Sequence, residues 1–199
     1  VPYLLLVSAG MIPWQFFANS FTEASNSLIA NATMLSKVYF PRIIIPVSSV
    51  VVSFIDLLIS FAIMIGIYIW YQFVPDWHLI FLPLFILQAI FVSMGLGFLV
   101  SALNVRYRDF RYIVPFIVQF GLYISPVGFK TSVVTGDLKY LYALNPMVGV
   151  IDGFRWSLLG GNFSLDKSTF AISLIMSVII FIIGFNYFRK VERNFADII

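Results

Sequence analysis

Cysteine is absent from this 199-residue sequence, and histidine occurs once, as His78. Those absences exclude a disulfide framework, a thiol nucleophile and a metal centre built on several thiolates or imidazoles. Charge is scarce as well: 11% of residues are charged against 61% hydrophobic, too little polar material to coat a water-soluble core. Sequence signatures of chemistry are also missing. There is no phosphate-cradling G-x-x-x-x-G-K-[ST], no H-E-x-x-H and no G-x-S-x-G, so any ATP used must be bound by another chain. A net charge of +3 gives no reason to invoke nucleic acid. His78 sits beside Asp76 and Trp77 in a short turn and reads as a surface residue rather than a catalytic one.

What the sequence does contain is a succession of long apolar runs. A spanning helix needs about 20 apolar residues to satisfy its backbone across the hydrocarbon, and the runs are too long and continuous for barrel strands. An all-α, polytopic membrane protein is predicted, as a single domain over residues 1–199. Its five crossings lie near Val1 to Phe21, Ile43 to Tyr71, Leu79 to Leu103, Ile113 to Phe129 and Ser168 to Phe188. The chain opens at Val1 inside an apolar run and reads as a fragment, so this number is a minimum. Between the last two runs, "LYALNPMVGVIDGFRWSLLGG" is apolar but interrupted by Pro146, glycines, Asp152 and Arg155, which predicts a re-entrant or interfacial hairpin.

Alternating sides sort the cations. Lys37, Arg42, Arg106, Arg108, Arg111, Arg189, Lys190 and Arg193 fall on one side, and Lys130, Lys139, Arg155 and Lys167 are spread along the other. Retention of lysine and arginine on the cytoplasmic side makes the first group, and the C-terminus, cytoplasmic. The turn "NVRYRDFR" then joins two crossings on that side, as a topology anchor or as a contact with something else.

Three stretches carry the functional interest. Leu28, Ala32 and Leu35 recur at i, i+4 and i+7 within "EASNSLIANATMLSKVYFPRIIIP", which predicts a short amphipathic helix for the membrane surface or a partner's groove. With Lys37 as its only cation, the partner groove is the better fit. Tyr112, Phe116, Gln119 and Tyr123 share one helical face, with Phe120 beside them. That face reads as a pathway wall on which sugar rings can slide, or as packing and lipid contact. Asp56 is the acid deep in a crossing, either functional or a hydrogen-bonded tie between helices.

Taken in order, "GMIPWQFFANSF", "NSLIANATMLSKVYFPRIIIP", "LNVRYRDFRYIVPFIVQFGLYISPVGF" and "LNPMVGVIDGFRW" resemble the membrane subunit of bacterial ABC-type polysaccharide and polyol-phosphate exporters. Members of that family export O-antigen, capsule or teichoic acid precursors. The likeness covers essentially the whole chain. It implies six crossings in a complete member, of which the first would be missing here. It also implies a coupling helix from Asn26 to Lys37 that docks on an ATPase subunit. Asn26, Leu28, Asn31, Leu35, Lys37, Tyr39 and Arg42 would form that contact, with Asn104, Arg106, Arg108 and Asp109 as a second one. Tyr112, Phe116, Gln119, Phe120 and Tyr123 would line the conduit, and Asn145, Pro146 and Met147 would shape its outer gate.

The implied partners are two copies of an ABC ATPase, a second copy of the chain, membrane lipid and a polyprenyl-linked glycan or polyol-phosphate polymer. No cofactor is expected on the chain itself; ATP and Mg would belong to the ATPase. The location implied is the bacterial inner membrane. A drug or lipid exporter of the same architecture is an alternative, as are a membrane glycosyl- or acyltransferase and a proton-coupled transporter.

Overall fold

A computed structural model of the chain describes residues 2–35, 41–107, 109–134, 136, 138–160 and 163–192. Its regular elements are helical: α1 (Tyr3–Ala30), α2 (Ala32–Leu35), α3 (Ile44–Tyr71), α4 (Leu82–Arg106), α5 (Phe110–Ile124), α6 (Leu138–Tyr142), α7 (Pro146–Leu159) and α8 (Lys167–Glu192). Short 3-10 turns cover Trp77–Phe81, which leads into α4, and Thr131–Val133. Among the described residues, four stretches are long and apolar enough to cross a membrane: Tyr3–Ala30, Ile44–Tyr71, Trp77–Arg106 and Lys167–Glu192. The fourth expected crossing corresponds to α5, whose 15 residues fall short of the usual span.

Helix ends follow local chemistry. Polar side chains carry α1 onward past Phe21 by folding back on their own turn. Ser25 donates to the Phe21 carbonyl, Asn26 to Thr22 and Ser27 to Ala24, which hides their polarity inside the helix. The helix α3 stops where Gln72 takes a left-handed conformation, φ 52°, and the Phe73 N–H closes on the Tyr68 carbonyl at 2.9 Å, a Schellman-type ending. Pro126 ends α5: the residue before it, Ser125, is driven to extended backbone with ψ 149°, as steric clash with the proline ring requires.

Packing centres on α4, which lies against α1 and α8, while α1 also contacts α3 and α7. Lipid tails are as apolar as leucine, so helices in a membrane associate through close packing rather than the hydrophobic effect. The contact of α4 with α8 shows this. A Cβ at Gly184 would collide with the Gly95 carbonyl, and one at Gly95 would sit 2.7 Å from the Phe181 backbone, so the two backbones touch.

The bundle has two distinct ends. At one, Leu28, Leu35, Ile45, Phe98, Ala102 and Phe188 form an apolar cluster, with Arg42 bound to Glu192 and the Arg106 turn close by in sequence. At the other lie α6, α7 and an aromatic group in which His78 stacks on Trp77 (4.4 Å) and meets the edge of Trp156 (4.6 Å). The sequence "LNPM" starts α7 as a capped helix: the Asn145 side chain accepts from the Met147 N–H at 3.0 Å and Pro146 takes the first helical position. All of α7 except Asp152 and Trp156 is buried, the pattern of a helix enclosed on every side.

Candidate functional site

Three places gather most of the residues singled out from the sequence: the basic end, the face of α5 beside α1, and the joint between α5 and α7.

At the basic end, the predicted amphipathic helix is not a separate element. Asn26 and Leu28 belong to α1, Asn31 caps its end, and the four residues of α2 follow. The predicted apolar stripe turns inward. Leu28 is fully buried and Leu35 nearly so, against Ile45, Phe98 and Phe188. Asn31 donates back to the Ser27 carbonyl at 2.8 Å. The surface left open here includes Ile29, Met34, Arg106, Tyr107, Asp109 and Arg111, with the Arg106 guanidinium 5.3 Å from the centre of the Tyr107 ring. Asn104 is fully buried and donates to the Ser25 carbonyl at 2.7 Å, tying α4 to α1 instead of facing a partner. Arg42 is half-buried against Glu192. Lys37, Tyr39 and Arg108 lie outside the described residues.

The face of α5 matches the predicted stripe. Tyr112, Phe116, Phe120 and Tyr123 are 77%, 65%, 54% and 73% exposed, and Gln119 is exposed with them. Val114, Val118 and Leu122 occupy the opposite side, against the core. There Gly121 admits Trp14 of α1, whose ring lies 2.8 Å from where a Cβ would stand. Sequence reasoning missed the neighbouring wall. A groove of about 300 Å³ separates α5 from α1, and Gln15, Asn19, Thr22, Glu23 and Gln119 line it together with Met11 and Trp14. Gln15 donates to Asn19 at 2.9 Å. The i, i+4, i+8 spacing of Gln15, Asn19 and Glu23 was the signal for this stripe. Asp56 stands exposed on α3; the Ser60 hydroxyl donates to its backbone carbonyl, not to its carboxylate.

At the far end, the chain after α5 is stitched to its surroundings. Tyr142 donates to the Ile124 carbonyl at 2.6 Å and Asn145 to the Ser125 hydroxyl at 3.0 Å. Arg155, expected in a re-entrant or interfacial hairpin and sorted with the cations of the far side, is buried to 1% exposure in α7. It donates to the Val127 carbonyl (2.6 Å), the Phe129 carbonyl (2.7 Å) and the Leu6 carbonyl (3.3 Å). Pro146 and Met147, expected at an outer gate, are buried in the packing of α7, and Asn145 is half-buried. At the surface nearby, Lys139 pairs with Asp166 at 3.1 Å. Hydrogen bonds from Lys139 and from the Ser168 N–H hold the Asp166 carboxyl below its ordinary range, and that contact pushes the Lys139 ammonium up.

Among the described residues, no group of three or more His, Cys, Asp or Glu side chains comes together in a way that could hold a metal ion. The polar groups present can hydrogen-bond and steer a solute, and aromatic rings can offer it a surface.

Comparison with known proteins fits this inventory. Residues 3–159 match the family model described as ABC-2 type transporter. Over 198 residues the chain is 26% identical to an O-antigen export system permease protein, RfbA, of Klebsiella pneumoniae, covering 99% of this chain and 76% of the relative. It is 24% identical over 198 residues to a protein of the same name from Myxococcus xanthus, covering 98% and 75%. A family match over residues 3–159, which takes in three of the four membrane-length apolar helices, leads to one assignment: the chain belongs to the ABC-2 type transporter family.

Proposed function

We propose that this chain is the membrane subunit of an ATP-driven exporter that carries a lipid-linked polysaccharide or polyol-phosphate polymer across the bacterial inner membrane. The observation that carries the reading is the face of α5. Four aromatic rings and Gln119 stand out of the bundle, next to the amide and carboxylate stripe on α1. In lipid such a stripe is unfavourable, because each amide would lose its hydrogen bonds. Along a conduit it is useful: rings stack on the apolar faces of sugars while amides exchange bonds with their hydroxyls.

A conduit of this kind is completed by a second copy of the chain, and the five-crossing count with α5 as one of them is part of the proposal. The basic end faces the cytoplasm, where positive charge is retained. There the exposed surface around Met34, Asn31, Arg106 and Asp109 receives an ABC ATPase, two copies for two permeases, which binds the ATP and Mg. Leu28, Leu35 and Asn104 act behind that surface, linking it to α1, α3 and α4. ATP drives export only if the ATPase contacts this surface differently with and without nucleotide. Asn145, Pro146 and Met147 set the position of α7 below the outer mouth.

Depletion of the chain from its own cell tests the proposal. The expected result is lipid-linked glycan accumulating on the cytoplasmic side, with the same accumulation on loss of the ATPase. Export that continues without the ATPase would favour a proton-coupled transporter instead.

A further inference from the structure

We infer that Arg155 is a positioning residue for transport: it fixes the end of α5 next to α7, so that α5 tilts about that point while its basic end swings. The inference rests on the proposed role of α5 as a pathway wall.

The last carbonyls of α5 and those of the following turn have no intrahelical partner. Five contacts from three other elements take up groups along this stretch. Tyr142 of α6 reaches the Ile124 carbonyl, and Asn145 at the start of α7 reaches Ser125. Arg155 of α7 reaches both Val127 and Phe129, and Tyr3 of α1 reaches Gly128 at 3.4 Å. Two residues on, the Thr131 hydroxyl donates to Asp152 of α7 at 2.6 Å. Arg155 is the hub, because it makes two of those five contacts and its third bond, to the Leu6 carbonyl, gives the joint a second tie to α1. Gly10 makes room for it: a Cβ there would lie 2.8 Å from the guanidinium and 2.9 Å from the Val127 carbonyl.

The rest of α5 is held differently. Val114, Val118 and Leu122 make van der Waals contact with the core, and Val114 is the one buried residue of the helix. Apolar surfaces slide past one another at small cost. A buried guanidinium held by three carbonyls does not, since charge-assisted bonds are the strong ones and breaking one leaves an unpaired charge. The joint is therefore the fixed end. A helix of 15 residues is about 22 Å long, so a tilt of about 10° at the joint moves the basic end by about 4 Å.

Spin labels test this, and the absence of cysteine from residues 1–199 lets them be placed there without competing native thiols, the permease being labelled before the ATPase is added. One pair joins the basic ends of α5 and α8, R111C with K190C. The other joins the opposite ends, G128C with S168C. In the complex with its ATPase, adding a non-hydrolysable ATP analogue should change the first distance by about 4 Å, for a tilt of that size, and leave the second fixed. R155Q and R155K should each broaden the second distribution: Arg155 reaches its three carbonyls from three separate nitrogens, whereas the donors of glutamine or lysine all radiate from one. A nucleotide-driven change in the second pair as large as in the first would overturn the inference. So would an R155K protein whose second pair stays as narrow as in the parent. If R155Q does not accumulate, R155K and the parent decide. If neither distance responds to nucleotide, the ATPase coupling in the proposed function fails instead, and the R155K broadening still judges the joint.

Discussion

The Asn104 side chain of α4 donates to the backbone carbonyl of Ser25 in α1 at 2.7 Å, with both residues fully buried. The bond bridges two of the helices that meet at the basic end. Replacing Asn104 with alanine should cost about 1 kcal/mol, the net worth of one hydrogen bond, since the Ser25 carbonyl keeps its partner within α1. Thermal unfolding of the purified protein reads this. A loss no larger than that of an exposed control such as N186A would show that the bond carries no stability.

Gly95 and Gly184 make a sharper prediction. Gly184→Ala cannot be accommodated without separating α4 from α8, and should lower the midpoint by several degrees. Gly66, in α3, has open space where a Cβ would stand, so Gly66→Ala should be neutral or slightly stabilising, as alanine is the better helix former. Equal effects of the two would mean that α3 is covered in the working assembly.

On α5 the two faces should separate by assay. Tyr112→Ala, Phe116→Ala and Tyr123→Ala should lower glycan export several-fold at unchanged abundance. Val114→Ala should instead lower abundance together with export, by about 1–3 kcal/mol of stability for a truncated buried side chain. Parallel loss of export and abundance in the aromatic variants would identify the stripe as packing.

The Lys139–Asp166 pair predicts a pH dependence. The folded pKa of Asp166 lies below its unfolded value, so its contribution is present above the unfolded pKa and fades as pH falls through the folded one. Lys139 and Asp166 are exposed, and screening keeps the effect small. A D166N variant should differ slightly from the parent in thermal midpoint at neutral pH and converge with it in acid. A difference that grows toward low pH would contradict the assignment.

Much of this architecture is legible in the sequence where apolar runs are long. The predicted Ile43 to Tyr71 run is α3, which starts one residue later, and the Ser168 to Phe188 run is α8 without its first residue and its last four. Errors occur where polarity is internal. The first run was expected to end at Phe21, but α1 continues to Ala30 because serine and asparagine bond to their own helix. The fourth was expected to reach Phe129, but Pro126 stops α5 at Ile124. At the site, the α5 face was readable from i, i+4, i+7 spacing alone. The inward turn of Leu28 and Leu35 was not, because an apolar stripe looks the same whether it faces a partner or the chain's own core. Arg155 escaped for a similar reason: its three carbonyl partners are 149, 28 and 26 residues away along the chain.

The most direct test of the account concerns the surface at the basic end. A photoreactive amino acid placed at Met34 or Arg106 in the native membrane should cross-link to an ABC ATPase, whereas one at the buried Leu28 should react only within the permease chain. Failure of both exposed positions to capture an ATPase, in cells that are actively exporting glycan, would contradict the coupling on which the mechanism depends.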